Sequence, residues 1–574
     1  MKKELKIITG LGLAVLSASA LTDCSPTKGG NDPTEDANKT SINVFVWNGG
    51  YGREWLDNAI ARYGELVKDK SFEEGKKGVK INVQATKNNA DVLSLAAFEN
   101  SDNDLFFTES IDYYNFTRAQ GGNRFLDLTE VVKEANPYDG GKILEDKFQD
   151  FQKDFLNVDG SYFGIPHYPG CYGLSYNAEM FSKKGFYYDA NNQIQAIAGT
   201  STLGVGPDGK AGTYDDGLPR TYNEFFNLCD FIKAQDIYPV QWTGQYYPLH
   251  LAGLFKTLAG DYDGPEYAKV YSTLEGQLEV AKMENGSPKV TKDSSNKHAV
   301  SLETEILENG SVTAGDTYRT PGFYYASEFI NRLVNSDGGT SHYFADTSFS
   351  DTYSHLDAQN DFVQSDSEFA SVDSTTGKKK NFAMIVDGMW WESEARSTFE
   401  KMAKRGGEKY SRAQRDMRWM PLPAANEDHL FTNGHTIIDD SRSYTIARAG
   451  VSEAKAAVIR DFLKFLYSDE ELVSFSKDTG VKKNLKYTVS DADLAEMGPF
   501  AKSLSSFMND STTIDQSNNG RYFTTNFKTI NSSQVQYKAQ VAGKSVTAPE
   551  AFRADPNLTP EAFFSALYQS HKNS

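Results

Sequence analysis

Asn381 to Ala395, reading NFAMIVDGMWWESEA, sets Trp390 and Trp391 directly after an Asp387-Gly388 pair at the end of an apolar run. Phe382 to Val386 predicts a short strand, Asp-Gly has turn chemistry, and Trp391 to Phe399 has helix-forming composition. The indoles therefore fall at a strand exit, the edge of an α/β sheet where ligands bind. A flat indole beside a carboxylate suits a molecule with apolar ring faces and a hydroxyl rim, as a sugar has. Core packing is the competing role for both residues. Neighbouring helix positions point about 100° apart, so only one of the pair is expected to face a ligand.

Other strand exits offer similar groups. Trp47, Asn48, Gly49, Gly50 and Tyr51 follow the first predicted strand, and the glycines let backbone approach a ligand. Glu109 and Asp112 follow the third and could accept from hydroxyl pairs, Trp242 lies in YPVQWTG, and His435 and Arg442 lie in GHTIIDDSR. Each has a plainer alternative, such as Trp47 closing a sheet end or Glu109 standing as a solvated acid.

GVGPDGKAGTYDDGLP, residues 204–219, gathers Asp208, Asp215 and Asp216 as oxygen donors for a structural Ca²⁺. Lys210 stands where an EF-hand needs an oxygen, no Glu closes the loop, and a solvated acidic turn is the alternative. Gly204 to Gly209 spells G-x-G-x-x-G, but proline and turn residues follow it where a dinucleotide site needs a helix. Gly543-Lys544-Ser545 has Lys538 where a P-loop has its first glycine. The sequence contains no HExxH and no GxSxG. A glycoside hydrolase needs two carboxylates about 5–10 Å apart across a sugar bond. The adjacent pairs Asp215/Asp216 and Asp439/Asp440 are wrongly placed for that.

The elements that must position these residues alternate. Ser41–Trp47, Val79–Ala85 and Asp104–Phe107 read as strands, and Glu54–Lys68 and Asp91–Glu99 as helices, which implies a parallel sheet covered by helices. Phe163–Tyr176, with Pro166, Pro169, Gly170 and Gly173, reads as a chain crossing between lobes. Thr221 and Glu224 predict a capping box for a helix to Ala234. Val451–Tyr467 is an amphipathic helix, and Ser468 caps a second that stops at Gly480. Gly264–Ser311 and Thr559–Leu567 read as further helix.

Lys2, Lys3 and Lys6 before the apolar run Ile7–Leu21 have the layout of a secretory signal. Leu21-Thr22-Asp23-Cys24 resembles a lipobox in which Cys24 would carry the lipid, although Asp23 is larger than the usual residue there. Ala18-Ser19-Ala20 offers ordinary cleavage and a soluble product instead. Ser25–Thr40 has little to bury and predicts a flexible tether with a reach of roughly 20 Å. The net charge of −19 argues against nucleic acid as a partner. Cys171 and Cys229 could pair or remain as buried thiols.

Taken in order, VFVWNGGYGREW (44–55), GIPHYPGCYGLSYNAEMF (164–181), TYNEFFNLCDFIK (221–233), YPVQWTG (238–244), NFAMIVDGMWW (381–391) and AAVIRDFLKFLYSDEELVSFSKDTG (456–480) resemble the extracellular solute-binding proteins of carbohydrate ABC importers. The resemblance implies two α/β lobes with a ligand groove between them, the chain crossing more than once. Residues 1–23 would be the lipoprotein signal and 24–40 the tether. Residues 41–165 plus 444–485 would form one lobe, and 166–443 plus 486–574 the other. It implies capture of a sugar and delivery to membrane permease subunits by a lipid-anchored monomer that needs no cofactor, and the chain's size and aromatic content, with 31 Tyr and 36 Phe, lean toward an oligosaccharide. An adhesin or sensor without transport would use the same residues. The chain exceeds the usual family length through insertions near 186–219, 261–311 and 336–380.

Overall fold

The structure is a computed structural model describing residues 37–86, 95–109, 113, 117, 124–293, 296–339, 341–373, 377–439, 441, 443–515 and 537–573. Cys24, residues 25–36 of the expected tether, Asp112 and Arg442 lie outside these residues; the tether's expected last residue, Thr40, is instead buried at the start of the first strand. Nine strands build two central sheets: β1 Thr40–Trp47, β2 Val79–Thr86, β3 Leu105–Thr108, β4 Gly164–Pro166, β5 Tyr172–Asn177, β6 Tyr238–Gln241, β7 Phe382–Gly388, β8 Met417–Met420 and β9 Tyr444–Ala447.

The first sheet runs β2-β1-β3-β9-β4. Its first three strands are parallel, as the strand-helix alternation predicts, and β9 and β4 extend it in antiparallel register. The second runs β6-β7-β5-β8, with β6 and β7 parallel and β5 antiparallel to both β7 and β8. Each sheet centres one lobe of a two-lobed α/β molecule. Ile42, Val44, Phe45 and Val46 of β1 are buried, with helix Glu453–Leu466 packed on that strand and helix Glu54–Val67 on β2, while all seven residues of β7 are buried in the second lobe. A strand covered on both faces reads as a continuous apolar run, which is why β7 stood out in the sequence.

Local signals hold at several termini. Ser452 and Ser468 accept from the amides of Lys455 and Glu471, opening helices Glu453–Leu466 and Asp469–Thr479, and Gly480 ends the second at φ 80°. Thr221 caps Tyr222–Lys233, but Glu224 turns from the expected capping box to the Arg220 amide and guanidinium. Asp387 and Gly388 remain in β7, paired with Gly173 and Tyr172, and the turn falls on Met389 and Trp390 instead. The expected helix at 264–311 is a correction. Beyond Thr273 the described residues there form short antiparallel strands, including Leu278–Ala281 on Thr304–Leu307. Leu278 and Val280 are buried while Glu279 is not, a period of two that overrides the helix-favouring Glu, Lys and Leu content.

The chain passes between the sheets through residues 167–171 and returns by way of Asp439, Ser441 and Ser443. The two crossings lie side by side. Asp439 Oδ1 accepts from the amides of Gly170 (2.9 Å) and Ser441 (2.8 Å), Ser441 Oγ donates to Tyr168 O, and the His167 amide donates to Ser443 O. A third passage follows Gly480 to helix Pro499–Asn509, where Ser503 Oγ accepts from the Trp419 amide of β8. Cys171 and Cys229 are free, buried thiols.

Candidate functional site

The exits of β1 and β7 face each other, and Trp390 stands between them. Three missing side chains make room for its indole: a Cβ on Gly388 would lie 2.3 Å from Cζ2, one on Gly170 3.0 Å from Cζ3, and one on Gly50 3.3 Å from Cβ. Gly388 and Gly170 come from the second lobe and the crossing, Gly50 from the first lobe. Tyr172 meets the indole edge-on at 5.3 Å and stacks obliquely on His250 at 4.9 Å. Trp390 stays half-exposed.

The indoles divide as their angular separation requires. Trp391 is fully buried, its Nε1 donating to Ser175 Oγ at 2.9 Å and its ring packed edgewise on Phe362 and Phe500. It belongs to the core beneath the site.

Beside Trp390 lies a set of carboxyl groups. Gln359 Nε2, from helix His355–Gln364, donates to Asp387 Oδ2 at 3.1 Å and to Glu394 Oε2 at 3.0 Å. Burial pushes Asp387 up to about 8, the Glu394 charge adds to this, and hydrogen bonds from Gly388 and Gln359 oppose it. Asp387 therefore keeps its proton at neutral pH and can donate as well as accept. Glu109, half-buried at the exit of β3, receives the Tyr168 hydroxyl; desolvation raises it to about 7, with Glu394 contributing in the same direction. Burial also lowers His250 to about 3, so the ring 3.8 Å from Asp387 Oδ1 is neutral. Together these groups present acceptors, a protonated acid and an aromatic face, a set suited to hydroxyl groups around a ring.

The remaining expected residues sit elsewhere. Trp242 is fully buried against Phe344 and Phe349, so its ring offers no face to a ligand. The same loop instead exposes Tyr246, 42% accessible, its ring 5.9 Å from that of His355. Tyr51 is buried, its hydroxyl donating to Pro169 O and its ring edge-on to Tyr168. Trp47 is half-buried with its indole over Gly49, and Asn48 is half-buried beside it. His435 is 1% exposed, its Nδ1 2.8 Å from Asp261 Oδ2 and its ring between Phe431 and Phe507. It braces the second lobe away from the surface.

In the 204–219 loop the carboxylates serve the loop itself. Asp215 accepts from the Asp208 amide and the Thr213 hydroxyl, Asp216 from the Gly212 amide, and Asp208 from the Lys210 amide. No group of three or more His, Cys, Asp or Glu able to hold a metal occurs among the described residues. The calcium expectation is corrected to that of a turn held by its own acids.

Sequence reasoning missed Tyr172, His250, Gln359 and Glu394. Tyr172 lies in the crossing motif, and His250 one turn into the helix after YPVQWTG. Gln359 and Glu394 carry no local signal, because only the fold brings their helices to the β7 exit.

Residues 54–304 match the family model of the bacterial extracellular solute-binding proteins. No curated protein sequence matches the chain. Among solved structures, the chain resembles maltose-bound MalE3 of T. maritima, with 13% identity, 93% of this chain and 99% of that one covered, and a TM-score of 0.51. Two binding proteins of Bifidobacterium animalis subsp. lactis are similar. BlMnBP1, from an ABC transporter and in complex with mannobiose, has 12% identity and covers 94% and 95% of the two chains at a TM-score of 0.50. BlMnBP2, specific for manno-oligosaccharides and in complex with mannotriose, has 13% identity and covers 94% and 96% at 0.50. At these identities the likeness establishes the two-lobed fold.

Proposed function

We infer the function from a chain that resembles the bacterial extracellular solute-binding proteins in sequence over residues 54–304 and in fold over nearly its whole length: it captures a carbohydrate, in keeping with an oligosaccharide, and delivers it to an ABC permease. The observation that carries this reading is the half-buried Trp390 at the meeting of the two lobes, flanked by Asp387 and Glu109, while Glu394 is taken up by Gly50 and Gln359. The indole stacks on a sugar face while the carboxyl groups hold its hydroxyls. Charged hydrogen bonds contribute about 1.5–3 kcal/mol each and stacking somewhat less, and a micromolar complex needs roughly 8 kcal/mol net, so several such contacts must act together. The reading needs no chemistry on the ligand.

The size of the chain and its aromatic content, 31 Tyr and 36 Phe, favour a ligand longer than one ring. The sequence before residue 37 supports export and a lipid anchor at Cys24, which would hold the body near the membrane and its permease. Mass spectrometry of the mature N-terminus distinguishes acylated Cys24 from cleavage after Ala20.

A thermal-shift screen against a glycan panel tests the binding reading. A cognate sugar at a hundred times its dissociation constant adds about 2.7 kcal/mol of stability. Peptides that raise the melting temperature while every sugar leaves it unchanged would sink the assignment.

A further inference from the structure

Glu394 joins the two lobes. Its Oε1 accepts from the amide of Gly50, 3.3 Å away in the turn after β1, while Oε2 accepts a hydrogen bond from Gln359 Nε2, which also donates to Asp387. The same turn is shaped for this approach. Gly50 has φ +58°, a conformation disfavoured for side-chain-bearing residues, and a Cβ there would press on Trp390 at 3.3 Å. A few residues on, Glu54 Oε2 at the start of helix Glu54–Val67 pairs with Arg396 Nη2 of the second lobe at 2.6 Å. That pair is half-exposed and weak alone, but it lies on the same seam.

We propose that the 48–54 turn and the 390–396 segment form a closing latch, with Glu394 as its positioning residue, which keeps part of the population closed before a ligand arrives. This rests on the two-lobed binding reading and extends it. A binding protein whose competent state is partly populated shows an apparent dissociation constant equal to the intrinsic one divided by that fraction. The latch raises the fraction for every ligand equally. A side chain that touches the ligand changes the order of preference among sugars; a latch residue shifts all affinities by one common factor.

Small-angle X-ray scattering of the full protein without ligand, for the wild type, Glu394→Ala and Gly50→Ala, tests the latch. The wild type is expected to contain closed molecules and to have a smaller radius of gyration than either variant. Isothermal titration with several glycans should show all affinities reduced by one factor of about ten in Glu394→Ala, the scale of one charged hydrogen bond, with their rank order unchanged. Circular dichroism checks that both variants are folded, and Glu394→Ala stands alone if Gly50→Ala is not. A wild type as expanded as the variants, variants as compact as the wild type, or an altered rank order overturns the latch. If no glycan binds, the binding reading fails separately, and the scattering still decides whether the seam closes the molecule.

Discussion

At the scale of single residues, Trp390 and Trp391 show how neighbours in sequence can take opposite roles. Trp391→Ala removes a fully buried indole and its bond to Ser175, and should cost about 3–5 kcal/mol in chemical denaturation with little direct effect on ligand contact. Trp390→Ala should do the reverse, with a small loss of stability and a large loss of glycan affinity by titration calorimetry. Equal losses in both assays would contradict the division. Asp387 gives a pH test. Its folded value lies near 8, above the ordinary carboxyl range, so the folded protein holds a proton that the unfolded chain releases. The stabilising contribution is full below about pH 4 and is lost as pH rises toward 8. Relative to Asp387→Asn, the wild type should weaken by up to about 1.4 kcal/mol per pH unit across that window. Denaturant titrations at several pH values read the difference, and parallel curves would show that Asp387 is ionised in the fold.

At the scale of elements, the termini and central strands were the most legible parts of the sequence. Ser468 and Gly480 bracket their helix because capping needs only local atoms, and β7 announced itself by an unbroken apolar run. The 264–311 segment was misread because helix-favouring residues concealed an alternating pattern that packing enforces. The passage after Gly480 holds a feature no motif forecast. Lys483 is buried, its Nζ 2.6 Å from His167 Nδ1 in the neighbouring crossing and 4.0 Å from the Phe475 ring centroid. Burial drives both groups well below their ordinary values. The unfolded chain therefore binds more protons than the folded one until the pH reaches the ordinary lysine value. Relative to Lys483→Met, the wild type should gain stability as pH is raised from 7 toward 10, measured by denaturant midpoints. No relative change with pH would place a charged lysine in the hinge.

At the scale of the whole molecule, the first sheet and the crossing near 163–176 followed from the order of strands, helices and Pro-Gly punctuation, whereas the second lobe was implied by the family resemblance. The membership of the site did not. Trp242, Tyr51 and His435 were reasonable choices by residue type, yet packing drew them inside, and Tyr246 took the exposed place in the Trp242 loop. A side chain's direction at a strand exit depends on elements hundreds of residues away. Net charge gives a further test at this scale. With −19 overall, a charged ligand would feel a field that salt screens, whereas a neutral sugar would not. Glycan affinity should change less than about twofold between 50 and 500 mM NaCl. A steep dependence would mean that the cargo carries charge.

The environment of the six tryptophans has a practical consequence. Trp55, Trp242, Trp391 and Trp419 are buried, so their emission should respond little to small movements of the lobes. Trp47 and Trp390 are only half-buried and flank the same turn, one on each side of the seam. Opening would wet both together and shift their emission to longer wavelength. The protein thus carries a built-in optical gauge of its own aperture, readable without a label and on the timescale of ligand capture.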